Sequence, residues 1–500
     1  MTEAVTAGPP PHTSRRSRAV NPWLVLVIAC LAQFMVVLDA SVVNIALPSV
    51  QSGLHFSSAN LQWIVNAYTL IFGGFLLLGG RAADLLGRKR LFVAGVILFS
   101  AASLLNGLAQ TSGMLIVGRG LQGLGGALVS PAALSIVTTT FTDGTQRTRA
   151  LGVWSAIAAS GAAVGLLVGG VLTDIASWRW VFFINVPIGI ATIALALRFV
   201  AESRLEVARR SFDLAGATAV TGGLVLLVYA IVKAQSYGWG SARTLGFGAA
   251  AFVLLAAFVA IERRSAAPLM RLGIFRIRAL AIADTVLLLV ASGMFGMFFF
   301  ASLYVQEILG YSPLRAGLAF LPVTLGIMIG AGLAQQLIRR IGVRNVGAIG
   351  VGIAAAGMLV LTQLPVHGSY LGDLLVGLMP MSIGLGLAFV PITLLGTSGV
   401  TREDSGLASG LFNTAQQVGG SLGLAILSTL AASQTANVLH GSSTAAVFAA
   451  RVSGYHVAFL AAAIMLAGGV ALLTFGLRRR DIREVEDAIE ASGAAAVPAV

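Results

Sequence analysis

The chain has 500 residues, 57% of them hydrophobic and 10% charged, with a formal net charge of +13. About a quarter of the residues of an ordinary soluble domain are charged, so this composition excludes one and reads as an all-α polytopic membrane protein. Scattered basic residues argue against a nucleic-acid surface, and a single cysteine, Cys30, excludes a disulfide framework or a cysteine-based metal cluster.

Residues 1–22 are largely polar, with Pro9, Pro10 and Pro11 opposing helix and Arg15, Arg16 and Arg18 preceding the first apolar run. They form an N-terminal tail ahead of an uncleaved first span. Apolar windows long enough to cross a bilayer then recur fourteen times, at 23–47, 61–81, 91–110, 113–138, 149–172, 180–198, 213–234, 244–261, 279–306, 314–337, 345–364, 371–396, 406–431 and 456–477. Of the 32 Lys and Arg residues, 26 fall on alternate loops and both tails, which places both termini in the cytoplasm of a cell-membrane protein. Residues 478–500 turn from basic to acidic to Ala-rich, a short exposed helix that frays into disorder.

Two charges lie deep in spans. Asp39 stands in LDASVVNIALP, Leu38 to Pro48. An acid at a helix centre costs roughly 2.5–3.5 kcal/mol, so it needs a partner or a use. Arg119 in the fourth span is its partner by depth, because both lie roughly 9–14 Å from the same face at 1.5 Å rise per residue. A guanidinium favours the ionised carboxylate while they touch, so separation of the helices would release a proton switch; a static structural pair is the alternative. Between spans two and three, Gly80, Asp84, Gly87, Arg88 and Lys89 make a tight basic turn. There Asp84 can bond an adjacent helix N-terminus and a nearby Arg, or the charges only set orientation.

That loop resembles the signature G-x-x-x-D-x-x-G-R-K/R of the major facilitator superfamily. LDASVVNIALP, Arg119-Gly-Leu-Gln122-Gly123 and Trp178-Arg-Trp180-Val-Phe-Phe-Ile-Asn185-Val-Pro187 are similar to motifs of its 14-span drug:H+ antiporters, the EmrB and QacA type of multidrug exporter. Gly161, Gly165, Gly169 and Gly170 fit the fifth-span antiporter motif, except that Leu166 replaces its usual proline; three of these glycines still make a small-xxx-small ridge. The resemblance implies the major facilitator fold, two six-helix bundles plus two inserted helices. The expected divisions are an N-terminal bundle at 23–200, an inserted pair at 201–262 packed beside the bundles, a linker at 263–278 and a C-terminal bundle at 279–477. A weak internal repeat agrees: Gly152, Gly161 and Gly165 are matched in spacing by Gly410, Gly419 and Gly423, and Gly342 echoes Gly87.

The resemblance implies a proton-coupled exporter of lipophilic or cationic small molecules; the candidates for proton coupling are Asp39 and Arg119, with Asp284, the other acid inside an apolar run, as a second carrier. One proton crossing 100 mV and one pH unit supplies about 3.7 kcal/mol, but a monovalent cation forfeits the voltage share, so its strong export needs a second carrier such as Asp284. Candidates for substrate binding are Gln33, Trp63, Asn66, Tyr68, Gln122, Asn413 and Gln417, each of which could equally be interhelical glue; Glu307 and Asp373 at span ends could be solvated. No cofactor is expected, the drive being the proton gradient. The expected partners are the small-molecule substrates, protons and membrane lipids, with no nucleic acid, and a monomer is expected. An exporter of an endogenous metabolite or lipid, and a transport-inactive sensor or scaffold, are the alternatives; an enzyme is not expected, since no P-loop or metal-ligand spacing is present.

Overall fold

A computed structural model describes residues 21–204, 213–265, 268–397, 400, 404–441 and 443–491. The expectations for the N-terminal tail, for Arg209, Arg210 and Arg402, and for the last nine residues lie outside these.

Among the described residues fourteen long helices follow one another: α1 (Pro22–Leu54), α2 (Trp63–Leu86), α3 (Arg88–Gly107), α4 (Ser112–Thr140), α5 (Gly144–Ile175), α6 (Trp180–Phe199), α7 (Leu214–Tyr237), α8 (Ala242–Arg264), α9 (Arg278–Ile308), α10 (Pro313–Ile341), α11 (Val343–Leu361), α12 (Tyr370–Thr397), α13 (Ser405–Val438) and α14 (Thr444–Gly476). Thirteen of them are long and apolar enough to cross a membrane; α13, with Asn413, Gln416 and Gln417 in its interior, is the more polar fourteenth. The helices outrun the apolar windows because polar residues cap them. Asn21 accepts from the Trp23 N–H ahead of Pro22, Asp143 accepts from Thr145 and Gln146, and Ser443 starts α14 twelve residues before its expected position. A last helix, α15 (Arg479–Ala491), is docked rather than simply exposed: Val485 is buried against the ends of the C-terminal bundle.

Helices α1–α6 and α9–α14 form two bundles of corresponding build. Helix α5 lies on α1 as α13 lies on α9, and the repeated glycines explain both contacts. A Cβ at Gly161 or Gly165 would strike Val37 or Ser41 of α1, and one at Gly419 or Gly423 would strike Leu288 or Ser292 of α9. The third pair breaks the symmetry. Gly410 meets Leu77 of α2, whereas Gly152 faces open space.

Across one side of the molecule α2 packs along α13, and the inserted α7 packs on both; α8 touches chiefly α7. The inserted pair, expected beside the bundles, reaches both of them through α7. Thr221 of α7 fits against Gly74 of α2, and Thr429 of α13 donates to Ile231 O of α7 (3.4 Å). On the other side, among the described residues, α5 meets α10 at the end opposite the termini. Gly170 sits against Pro313, Gly317 sits against Leu166 O, and Ser312 donates to Asp174 (3.3 Å). Toward the termini the two helices part, leaving open space at Gly152 and Gly332.

Candidate functional site

Helices α1, α3, α4 and α6 enclose Asp39, which is 0% exposed. Arg119 Nη1 donates to its Oδ2 (2.5 Å), while Gln122 Nε2 (2.6 Å) and Asn185 Nδ2 (3.0 Å) donate to its Oδ1. The guanidinium is tied further, through Nε to Ile64 O (3.0 Å) and through Nη1 to Gln122 Oε1 (2.7 Å), and lies 4.4 Å from the Tyr68 ring centroid. Ser103 Oγ accepts from Gln122 and Asn185 (2.6 and 3.2 Å), and Asn106 Nδ2 donates to Gln122 Oε1 (2.8 Å). Such a pair avoids a severe desolvation penalty only because these extra donors fill the carboxylate's remaining lone pairs.

The depth argument thus places Asp39 and Arg119 together, with a difference of consequence. Both belong to the N-terminal bundle, so rigid rocking of one bundle against the other leaves the pair intact. The link to the second bundle runs through α1 itself: Ser302 Oγ donates to Asn44 O (2.7 Å) and Gln306 Nε2 to Ile45 O (3.0 Å). On its other face α1 rests on the ridge of Gly161, Gly165 and Gly169, so near-bare backbone meets Val37, Ser41 and Val42. Gly170 turns instead to α10. Helix α5 runs unbroken through Leu166, which is buried and presents its carbonyl to Gly317.

The α2–α3 turn is also built within one bundle. Asp84 Oδ1 accepts from Arg88 Nε and Nη2 (3.1 and 2.9 Å) and from Ser135 Oγ (3.4 Å). The N-terminus of α3 is held by another acid: Glu202 accepts from the N–H groups of Lys89 and Arg90 (3.1 and 3.2 Å), and Lys89 Nζ reaches Leu197 O (2.9 Å). Gly87 takes φ 116°, and its missing Cβ makes room for the Glu202 carboxylate. Gly80 is at ordinary distance from Pro131; the tight approach to α4 is at Gly79, against Ala127 O.

The other expected residues separate into groups. Tyr68 and Gln122 belong to the Asp39 network. Trp63 is buried against α7, facing Tyr229 across 6.3 Å between ring centroids. Asn66 is buried and receives no hydrogen bond at Oδ1 among the described residues; its Nδ2 donates to Gln62 (3.3 Å). Gln33 accepts from Ser130 (3.0 Å), Asn413 is exposed, and Gln417 lies where α13 crosses Gly73, its Oε1 without a partner among the described residues. Asp284 is 7% exposed on α9, and neither carboxylate oxygen has a hydrogen-bond partner among the described residues. Glu307 is paired with Arg451, and Asp373 accepts from Ser369 N and Oγ (2.7 and 2.9 Å) as a local cap.

Ser103, Asn106, Asn185 and Glu202 carry bonds for which no role was expected. Polar Ser103 and Asn106 within the third apolar window, and an acid at 202 in a basic loop, are their signals in the sequence.

Two matching helical bundles, joined along one side and parted along the other, with an ion pair sealed inside the first, define a multi-pass membrane transporter. Residues 29–424 match the Major Facilitator Superfamily. The chain is 41% identical over 480 residues to a puromycin resistance protein of Streptomyces alboniger, covering 95% of this chain and 94% of that one. It is 40% identical over 465 residues to a cephamycin export protein of Amycolatopsis lactamdurans, covering 92% and 94%. The crystal structure of the POT family transporter PepTSo superposes with a TM-score of 0.65 at 16% identity, covering 91% of this chain and 99% of that one. The chain belongs to the major facilitator superfamily; it is a small-molecule transporter and not an enzyme.

Proposed function

We propose that the chain exports lipophilic or cationic antibiotics and related small molecules in exchange for protons, with both termini in the cytoplasm. The observation that carries this reading is the Asp39 carboxylate, sealed in the N-terminal bundle against Arg119. A buried carboxylate deprived of its cation takes up a proton in preference to standing uncompensated. Helix α1 couples that event to conformation: its outer half is bonded to α9 and its glycine-lined face slides on α5, so a shift of α1 draws Asp39 away from Arg119 and Gln122. On return, Arg119 re-forms the pair and expels the proton. Asp284, buried without a partner among the described residues, is the proposed second proton carrier. The turn from Gly80 to Lys89, with Glu202, holds the inner end of the N-terminal bundle while the bundles rock. Substrate meets Gln33, Asn413 and Gln417, the expected pocket residues that remain exposed or half-buried. Tyr68 and Gln122 act through the Asp39 network, Asn66 is a further candidate contact, and Trp63 steadies the α7 contact.

The resistance and export functions named for the two relatives support export, and they also favour a narrower second reading, a dedicated exporter of one natural antibiotic. Accumulation of puromycin, a cephamycin and ethidium in cells expressing the chain separates the two. Lowered accumulation of several unrelated compounds supports the broad reading, lowered accumulation of one supports the narrow reading, and unchanged accumulation of a full antibiotic panel contradicts export of drugs.

A further inference from the structure

The side chains that reach the Asp39 carboxylate all do so as donors: Arg119 Nη1 at Oδ2, and Gln122 Nε2 and Asn185 Nδ2 at Oδ1. That shell suits the ionised acid. A protonated Asp39 carries an O–H of its own, and at 0% exposure it must find an acceptor inside the protein. The charged and titratable groups that face it are Arg119 of α4 and Tyr68 of α2, while Ser103 of α3 and Asn185 of α6 are neutral. The guanidinium has no acceptor to offer.

The two amides on the carboxylate differ in what a change of direction would cost. Gln122 Oε1 already accepts from Arg119 Nη1 (2.7 Å) and Asn106 Nδ2 (2.8 Å), so turning that amide over would set its NH2 group against two donors. Asn185 Oδ1 is buried and has no partner among the described residues. Its Nδ2 uses both hydrogens, one on Asp39 Oδ1 (3.0 Å) and one on Ser103 Oγ (3.2 Å). After half a turn about the Cβ–Cγ bond, Oδ1 takes that seat, and its two lone pairs meet the O–H of a protonated Asp39 and the rotatable hydroxyl of Ser103. The nitrogen moves to the place the oxygen left, so one end of the amide lacks a partner in either orientation and the turn is close to neutral. Asn185 also stands on a different helix from Arg119 and Gln122, so a shift of α1 away from α4 does not by itself break this contact.

Taking proton carriage by Asp39 as given, we propose that Asn185 serves both of its protonation states: Nδ2 donates to the carboxylate, and with the amide turned over Oδ1 accepts from the O–H of the acid. Proton uptake forms one O–H bond at Asp39 Oδ1 and breaks no covalent bond; the hydrogen bond between the two side chains persists and reverses direction. Asn185 is a positioning residue for the proton step, holding the neutral acid while Arg119 is away from it.

Infrared difference spectra of the full chain in liposomes, acid buffer against alkaline, test this when asparagine carries carbon-13 in its side-chain carbonyl. Loss of a band in Asp39→Asn assigns the Asp39 acid, and loss of a band in Asn185→Gln assigns the Asn185 carbonyl. On acidification the Asp39 band should appear at the low wavenumber of a hydrogen-bonded acid, and the Asn185 carbonyl band should shift downward as that oxygen begins to accept. In Asn185→Leu, which neither donates nor accepts, the Asp39 band should move to higher wavenumber. An Asn185 carbonyl that stays in place while the Asp39 band appears overturns the reversal, as does an Asp39 band at the same wavenumber in the intact protein and in Asn185→Leu; both results leave proton carriage standing. The carbonyl shift is read in the intact sequence, so it decides even where Asn185→Leu does not fold. Absence of the Asp39 band at every pH at which the chain stays folded overturns proton carriage itself, and the reversal with it.

Discussion

The buried charge of Asp39 is made tolerable by the donors around it, and the arrangement predicts that removing one charge of the pair costs more than removing both. Arg119→Gln leaves a carboxylate without its cation and should cost about 3–5 kcal/mol of stability, whereas Asp39→Asn with Arg119→Gln, which removes both charges, should recover most of it. Thermal unfolding of the three proteins in detergent checks this, and equal melting of the single and double variants would contradict it. The pairing itself was legible in the sequence, because two rare intramembrane charges at one depth have few other partners. Asn185 and Ser103 were not, since a lone Asn or Ser in a span is most often a local hydrogen bond, and nothing in the linear order brings α6 and α3 to the same carboxylate.

At the scale of single elements, the α2–α3 turn illustrates both success and failure of sequence reasoning. Its glycines and charges mark a tight basic reversal, and Asp84 does hold Arg88. The acid that caps α3 is Glu202, over a hundred residues away, which a local motif cannot disclose. Glu202→Ala should therefore destabilise the chain by about 0.5–2 kcal/mol, as for loss of a helix N-cap, and should speed hydrogen exchange at Lys89 and Arg90. Unaltered exchange there would remove Glu202 from the latch. The inserted pair was visible as two extra apolar windows, but its contact with both bundles depends on Gly74 receiving Thr221, a fit between distant helices that periodicity does not encode.

The whole molecule is closed at the end opposite the termini and parted between α5 and α10 toward them, while α7 seals the other side. In a background with Cys30→Ser, Asp174→Cys and Ser312→Cys joined by a short, reducible methanethiosulfonate linker should hold the closed end shut, arrest export and release it on reduction; export undiminished by the link would show that this contact does not open during transport. The number of spans was readable from apolar windows and charge alternation, and the two-bundle plan from the family resemblance and the repeated glycines. The unequal sides were not, because Gly152 and Gly410 occupy matching positions in the repeat and only their neighbours differ. The central claim is that substrate leaves in exchange for a proton carried by Asp39, and proteoliposomes containing a pH-sensitive dye measure it directly. Addition of a transported drug to the intact protein should move protons against the drug, and Asp39→Asn, folded and still able to bind that drug, should not. Drug-coupled proton movement that persists in Asp39→Asn would contradict the account.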